Sequence, residues 1–228
     1  MRLFGRTVGN MRIVIAGGHG QIALRLERLL AARGDEVAGI IRKAEQEGDL
    51  REAGAEPIVL DLESASAGEV AERLRGADAA VFAAGAGPGS GAARKETVDK
   101  GAAVLFADAA VQAGVRRFLV VSSMGADPAH EGDDVFDAYQ RAKGAADAYV
   151  TGLDALDWTI LRPGMLTNER GTGLVRLEAH TGRGSVPRAD VAAVLAELVE
   201  SPATAGLTLE LISGSAPVSV AVKSVAGN

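Results

Sequence analysis

The chain has 228 residues, of which 47% are hydrophobic and 24% are charged, and its formal net charge is −6. This length fits one larger domain or two small ones, and the core must be aliphatic because aromatic residues make up only 4%. The absence of cysteine excludes disulfides and thiolate metal sites, and an acidic chain without a basic block argues against nucleic-acid and anionic-membrane surfaces. Because no apolar run of about 18 residues occurs and the three histidines lie far apart, we expect a cytoplasmic protein with no membrane span and no metal ion.

Short apolar runs alternate with longer helical patterns along the chain. We expect residues 1–10 to form a flexible extension and residues 11–228 to form one domain. Strands are predicted over 12–16, 36–42, 57–61, 79–84, 117–123, 158–162 and 207–212. Helices are predicted between Gly20 and Gly34 and over 43–53, 68–76, 97–114, 135–152 and 188–200. This alternation of nearly all-apolar strands with helices predicts the α/β class: a doubly wound Rossmann fold with about seven parallel strands and helices on both faces.

The first strand is followed by a glycine-rich turn, AGGHGQIA, which opens the first helix. Residues 18–23 fit the pattern G-x-G-x-x-G/A, in which glycines permit a tight turn and let backbone N–H groups approach a pyrophosphate. The positive end of the helix also favours phosphate. An ordinary glycine-rich turn is the alternative, but the position between first strand and first helix favours dinucleotide binding. The candidate phosphate-binding residues are Gly17, Gly18, His19, Gly20, Gln21 and Ile22.

The second strand ends in two cations, Arg42 and Lys43, where NAD sites usually carry a carboxylate for the ribose hydroxyl. An arginine matches a 2′-phosphate in charge and geometry, so the sequence favours NADP(H) over NAD(H) as the cofactor. The alternative is that both are solvated charges at the start of the next helix. Later strands end in further candidate cofactor contacts, which are Asp61, Leu62, Ala83, Ala84 and Gly85.

Tyr139 and Lys143 have the spacing Y-x-x-x-K within a predicted helix, which puts both side chains on one face. A neighbouring ammonium favours the phenolate, and this makes Tyr139 a candidate proton donor and acceptor near neutral pH. Ser122 and Ser123 end the preceding strand, at the carboxyl edge where ligands bind, so one of the two hydroxyls is a candidate to bond a substrate oxygen. The sequence does not separate the two serines.

These motifs, in this order, resemble the short-chain dehydrogenase/reductase superfamily, in particular its atypical NAD(P)H-binding branch with biliverdin/flavin-reductase-like and NmrA-like members. The matching pieces are IVIAGGHGQIA, IIRK, VLDLE, FAAGAG, VVSSMGADP, YQRAKGAAD and WTILRPGMLT. The resemblance implies that Tyr139 is the acid/base, that Lys143 contacts the nicotinamide ribose, and that Ser123 bonds the substrate. Ser122 is the alternative active serine and a candidate cofactor contact. The resemblance also places the loop that lines the nicotinamide at Pro163 and Gly164.

Extended relatives carry a large C-terminal substrate domain, for which this chain leaves little room. We therefore expect residues 164–187 to form a small lid over the substrate, with Arg188 and Asp190 in structural roles. The resemblance implies an NADPH-dependent oxidoreductase acting on a small carbonyl or conjugated substrate. Two alternatives stay open: a non-catalytic NADP(H)-sensing regulator, and a sugar-nucleotide-type epimerase or dehydratase. The expected partner is a small-molecule substrate, and the chain is expected to be a monomer or a homodimer.

Overall fold

The computed structural model describes residues 10–87 and 89–227, so nearly all of the predicted 1–10 extension lies outside the described residues. The strands are β1 Arg12–Ala16, β2 Glu36–Ile41, β3 Glu56–Val59, β4 Ala79–Phe82, β5 Arg117–Val121, β6 Asp157–Pro163, β7 Met165–Thr167, β8 Leu174–Glu178, β9 Ser185–Pro187, β10 Leu207–Ser213 and β11 Ala216–Pro217. The helices are α1 Gln21–Arg33, α2 Glu47–Glu52, α3 Ala67–Leu74, α4 Ala92–Arg94, α5 Ala103–Ala113, α6 Val135–Thr151, α7 Arg188–Val199 and α8 Val218–Ala226.

One nine-stranded sheet has the order β11-β8-β10-β6-β5-β4-β1-β2-β3, and β7 pairs with β9 in a small second sheet. From β10 to β3 every neighbouring pair of strands is parallel. The prediction of a doubly wound sheet with seven parallel strands is therefore confirmed, and the order of its first strands, 3-2-1-4, is the Rossmann order. The antiparallel strands β8 and β11 extend the sheet beyond β10.

Both faces of the parallel sheet are covered, which explains why its strands are apolar at nearly every position. In β1, Ile13 and Ile15 belong to the core beneath α1 and α7, whereas Val14 and Ala16 belong to the opposite core beneath α3 and α5. Successive side chains of a strand point to opposite faces. In a strand between two helical layers, every side chain therefore faces a buried core and none faces solvent.

The helix predicted over 97–114 begins earlier, at Ala92, and is interrupted by a π-helical segment at Lys95–Ala102. This segment packs against α6 and contains Asp99, which is completely buried. π-Helical turns are rare and frequently mark functional positions. Periodicity cannot reveal such a segment, because one extra residue per turn changes the spacing only locally.

The segment predicted as a lid, 164–187, contains β7, β8 and β9. β8 is a strand of the main sheet, because it pairs antiparallel with β10 and buries Val175 and Leu177. Gly164 and the stretches 168–173 and 179–184 remain outside the strands within this segment, and a role for the segment in covering a substrate stays a prediction. Within the described ranges, no helix combines the length and apolarity that a membrane span requires.

Candidate cofactor cleft and active site

The turn after β1 has a geometry that only glycine can adopt. Gly17 has a φ of +79°, and a Cβ atom added to it would lie 2.6 Å from the Cα atom of Ala84 at the end of β4. Gly18 faces inward, where a Cβ would lie 2.9 Å from the Cα of Gly39 in β2. Any side chain at Gly17 or Gly18 would therefore push the turn away from the sheet and lift the start of α1.

The N–H groups of the glycines are used within the turn itself. Gly17 and Gly18 both donate to the carbonyl oxygen of Ile40, at 3.1 and 2.9 Å, and Gly20 donates to Gly17 at 2.8 Å. Gly20 caps α1 without a side-chain hydrogen bond, so among the described residues the N–H groups of Gln21 and Ile22 have no acceptor. Free N–H groups at the positive end of a 13-residue helix form a binding site for phosphate.

A cleft of about 260 Å³ opens in front of this turn, at the carboxyl ends of β1 to β4. The predicted cofactor contacts that line it are Gly17, His19, Gly20, Arg42, Asp61, Leu62, Ala83, Ala84 and Gly85. The His19 ring is held by Asp49, at 2.6 Å, and by Gln46, at 3.1 Å. Lys43 lies outside the cleft lining, with its side chain exposed and its N–H directed to Gln46. The residues around the cleft fit the phosphate-bearing part of a dinucleotide, because a tight glycine turn, free helix N–H groups and a small-residue strand end meet there. Ser122, Lys143, Pro163 and Gly164, predicted as further cofactor contacts, do not line it.

Two arginines line the cleft beyond the glycine turn. Arg42, at the end of β2, and Arg94, in α4, both approach the Oε2 atom of Glu63, at 3.5 and 2.6 Å. The hydrogen bond from Thr97 and the two arginines hold the pKa of Glu63 below its ordinary value. Arg94 was not predicted as a site residue, because no local pattern distinguishes it from other surface arginines.

The Tyr139 ring lies beside two lysine ammonium groups. The Nζ atom of Lys143 is 6.0 Å from the ring centroid, and the Nζ atom of Lys95 is 5.3 Å from it. Phe136, with 59% of its surface exposed, also neighbours this ring, with its centroid 6.1 Å from that of Tyr139. The Tyr139 hydroxyl makes no hydrogen bond to the described residues, so it is available to a ligand.

Lys143 is buried and its ammonium group has protein partners. Its Nζ atom lies 3.4 Å from Oδ1 of Asp99, 3.1 Å from the carbonyl oxygen of Val121 and 3.4 Å from that of Ala84. Asp99 in turn accepts the N–H of Ala86, at 3.2 Å, in the loop after β4. Asp99 therefore ties the lysine to the wall of the cleft, and the contact of Lys143 with a ribose stays a prediction. A charged residue on the apolar face of a helix was the sequence signal that could have identified Asp99.

The two serines have different environments. Ser122 is buried and donates a 2.8 Å hydrogen bond to Asp147, which also pairs with Arg162 at 2.8 Å. Burial raises the pKa of Asp147, and the bonds from Ser122 and Arg162 oppose this rise. Ser123 is half-buried and donates only a long bond, 3.3 Å, to the carbonyl oxygen of Met124. Ser123 is therefore the serine whose hydroxyl is free to turn towards a ligand.

The loop after β6 lies next to the serines. Pro163 accepts the N–H of Met124, and a Cβ added to Gly164 would lie 2.3 Å from the carbonyl oxygen of Gly184. Asp190, at the start of α7, accepts the N–H groups of Thr172 and Gly173 and so fixes the beginning of β8. In the described parts of the chain, no group of three or more acidic or histidine side chains is arranged to hold a metal ion.

The fold and the cleft define a Rossmann-type NAD(P)-binding protein, and comparison with known proteins agrees. A family model described as NAD(P)H-binding matches residues 17–202. The chain therefore belongs to this NAD(P)H-binding family of atypical short-chain dehydrogenases/reductases, as its motifs indicated.

Two relatives match over most of their length. The chain is 34% identical over 214 residues to "Uncharacterized sugar epimerase YhfK" of Bacillus subtilis, covering 93% of this chain and 99% of the relative. It is 32% identical over 226 residues to "UPF0659 protein YMR090W" of Saccharomyces cerevisiae, covering 94% and 99%.

Solved structures show the same fold. A Bacillus halodurans protein named "Putative NAD-dependent epimerase/dehydratase" superposes with a TM-score of 0.86 at 37% identity, covering 94% of this chain and 99% of that one. The oxidoreductase ylbE of Lactococcus lactis gives 0.83 at 28% identity, covering 96% and 98%. ChuY of Escherichia coli O157:H7, named an anaerobillin reductase, gives 0.73 at 26% identity, covering 89% and 97%.

Proposed function

We propose that this protein is an NADPH-dependent oxidoreductase that reduces a small carbonyl or conjugated substrate. The observation that carries the proposal is the Tyr139 hydroxyl, which has no hydrogen bond among the described residues and whose ring lies 6.0 Å from the Nζ atom of Lys143. Lys143, paired with Asp99, in turn contacts the carbonyl oxygen of Ala84 in the wall of the cleft. The oxidoreductase and reductase names of two structural relatives agree with it.

In this proposal the reduced nicotinamide, when bound, supplies a hydride. Negative charge then develops on the substrate oxygen, and the Tyr139 hydroxyl donates the proton that this oxygen needs. The ammonium groups of Lys95 and Lys143 lie beside the Tyr139 ring, at 5.3 and 6.0 Å from the ring centroid. Ser123 donates a hydrogen bond that holds the oxygen in line, while Ser122 is committed to Asp147.

The preference for NADP(H) rests on the positive charge at the end of β2. Arg42 lines the cleft, but Lys43 does not, so Arg42 is the residue of this pair that we assign to the 2′-phosphate. The small size of the substrate is supported by the C-terminal part of the chain, where β8 and β10 are committed to the main sheet.

The test is a screen of NADPH oxidation against carbonyl compounds, quinones and flavins. With an accepted substrate, Tyr139→Phe should lower turnover by about a hundredfold or more, the usual range for a positioned acid or base, and should leave NADPH affinity nearly unchanged. Tyr149→Phe is the matched control, because Tyr149 lies on the same helix but donates to Asp108 at the surface. Full activity of Tyr139→Phe would refute proton donation by this residue, and the absence of turnover together with tight NADPH binding would favour the sensing regulator.

A second candidate is an epimerase or dehydratase that uses the bound cofactor transiently. The observation that favours it is the 34% identity to a protein named a sugar epimerase and the 37% identity to one named an epimerase/dehydratase. Incubation with sugar nucleotides and a trace of oxidised cofactor separates the two candidates. Conversion of the sugar without net formation of NADPH would identify this second activity.

A further inference from the structure

Two arginines that are distant in sequence converge on one carboxylate at the far end of the cleft. Arg42 Nη1 lies 3.5 Å and Arg94 Nη2 lies 2.6 Å from the same oxygen, Oε2 of Glu63. The other carboxylate oxygen, Oε1, accepts a 2.8 Å hydrogen bond from the hydroxyl of Thr97. The two guanidinium groups therefore converge on a single anionic group.

The position of this cluster connects it with the cofactor. Arg42, Glu63 and Arg94 all line the cleft that also contains the glycine turn and the residues after β3. The side chains of Arg42 and Arg94 are 45% and 40% exposed, so both can bind a further anion. Because Thr97 and both arginines favour its charged form, Glu63 carries a full negative charge at neutral pH.

We propose that Arg42 and Arg94 together form the binding site for the 2′-phosphate, and that Glu63 is a resident carboxylate that competes with it. This inference rests on the NADP(H) preference of the proposed function and adds two residues to it. A phosphomonoester carries nearly two charges and three acceptor oxygens, so it can engage both guanidinium forks at once. The Glu63 carboxylate must turn away from the arginines to make room for the phosphate. Its Oε1 atom then keeps the hydrogen bond from the hydroxyl of Thr97.

NAD(H) presents a neutral hydroxyl at the same position of the ribose. It leaves the two ion pairs of Glu63 intact, and in this proposal the carboxylate then accepts a hydrogen bond from the hydroxyl, although Glu63 follows β3 and the carboxylate of NAD sites usually follows β2. Glu63 therefore works against NADP(H) relative to NAD(H), whereas Arg94 works in favour of NADP(H). The balance between these two residues sets the ratio of the two affinities.

The test is calorimetric titration of NADP⁺ and NAD⁺ into the full chain at fixed ionic strength, which requires no substrate. Arg94→Ala should weaken NADP⁺ binding by about tenfold to a hundredfold, the range for one lost charge-assisted contact, and should change NAD⁺ binding by less than about threefold. Glu63→Gln should strengthen NADP⁺ binding by about threefold to tenfold and leave NAD⁺ binding equal or weaker. The matched controls are Arg176→Ala and Glu178→Gln, because these two residues form an exposed ion pair on β8, away from the cleft.

Two results would overturn the inference. If Arg94→Ala weakens both cofactors equally or neither, Arg94 does not read the 2′-phosphate. If Glu63→Gln weakens NADP⁺ binding, the carboxylate orients the arginines and does not compete with the phosphate. Tight NADP⁺ binding by the wild-type protein in either case leaves the proposed function intact, whereas a wild-type chain that binds neither cofactor refutes both proposals.

Discussion

The buried carboxyl group of Glu27 should make the protein less stable as the pH rises towards 8. Glu27 lies on the buried face of α1 with Ala23, Leu26 and Leu30, and none of its surface is exposed. Neither carboxylate oxygen has a hydrogen-bond partner among the described residues. Burial raises the pKa of Glu27 from 4.5 to about 8, and the charge of Arg28, a smaller effect, opposes the rise.

The sign of the effect follows from which state holds the proton. Above about pH 4.5 the unfolded chain releases the proton, while the folded protein keeps it until about pH 8. Unfolding therefore becomes more favourable by about 1.4 kcal/mol for each pH unit in this window, and the loss of stability reaches about 5 kcal/mol above pH 8. Carboxylates with lowered pKa values, such as Glu69, lose their contribution only as the pH falls through the acid range.

The perturbation that isolates this effect is Glu27→Gln, because the amide has the shape of the protonated carboxyl and does not ionise. Urea unfolding of both proteins between about pH 5.5 and 8 should show the variant gaining about 3 kcal/mol relative to the wild type across the range. Glu27→Met, which removes the buried polar group, should be more stable than the wild type at every pH in this range. The control Glu69→Gln alters an exposed helix cap and should give a constant difference. Parallel stability curves for the wild type and Glu27→Gln would refute a neutral Glu27 in the folded protein.

Two further predictions concern the cleft. Gly17→Ala should abolish tight NADPH binding and lower the free energy of unfolding by roughly 2–4 kcal/mol, because the new Cβ would lie 2.6 Å from the Cα of Ala84 at a positive φ. Calorimetry measures the binding and thermal unfolding measures the stability, and unchanged binding would contradict the geometry of the turn. Asp99→Asn should leave Lys143 as an uncompensated buried charge and lower the free energy of unfolding by about 3–5 kcal/mol, measured by urea unfolding at neutral pH. A loss below about 1 kcal/mol would contradict the expectation that the Lys143 charge depends on Asp99.

Several buried or cleft-lining polar residues escaped prediction although the sequence contained a signal for some of them. Glu27 occupies a position on the apolar face of α1, between Leu26 and Leu30, and a carboxylate there was visible in the helical spacing. Asp99 is likewise a charge among buried positions of its helix. Arg94 gave no signal, because its partner Glu63 is 31 positions away and only the cleft brings them together. The place of β8 in the main sheet was not predicted for a similar reason, since an added antiparallel strand is defined by the strand with which it pairs, here β10.

Local sequence patterns predicted the seven parallel strands, the glycine turn and the shared helix face of Tyr139 and Lys143. These features depend on side-chain periodicity, turn conformation and helix geometry, which act over a few neighbouring residues. Long-range packing selects which serine is free, which acidic residue accompanies Lys143, and which second arginine lies beside Arg42. Those contacts join strand ends and helices that the chain connects through long crossovers, so their partners depend on the order of strands in the sheet and on packing, which no local pattern contains.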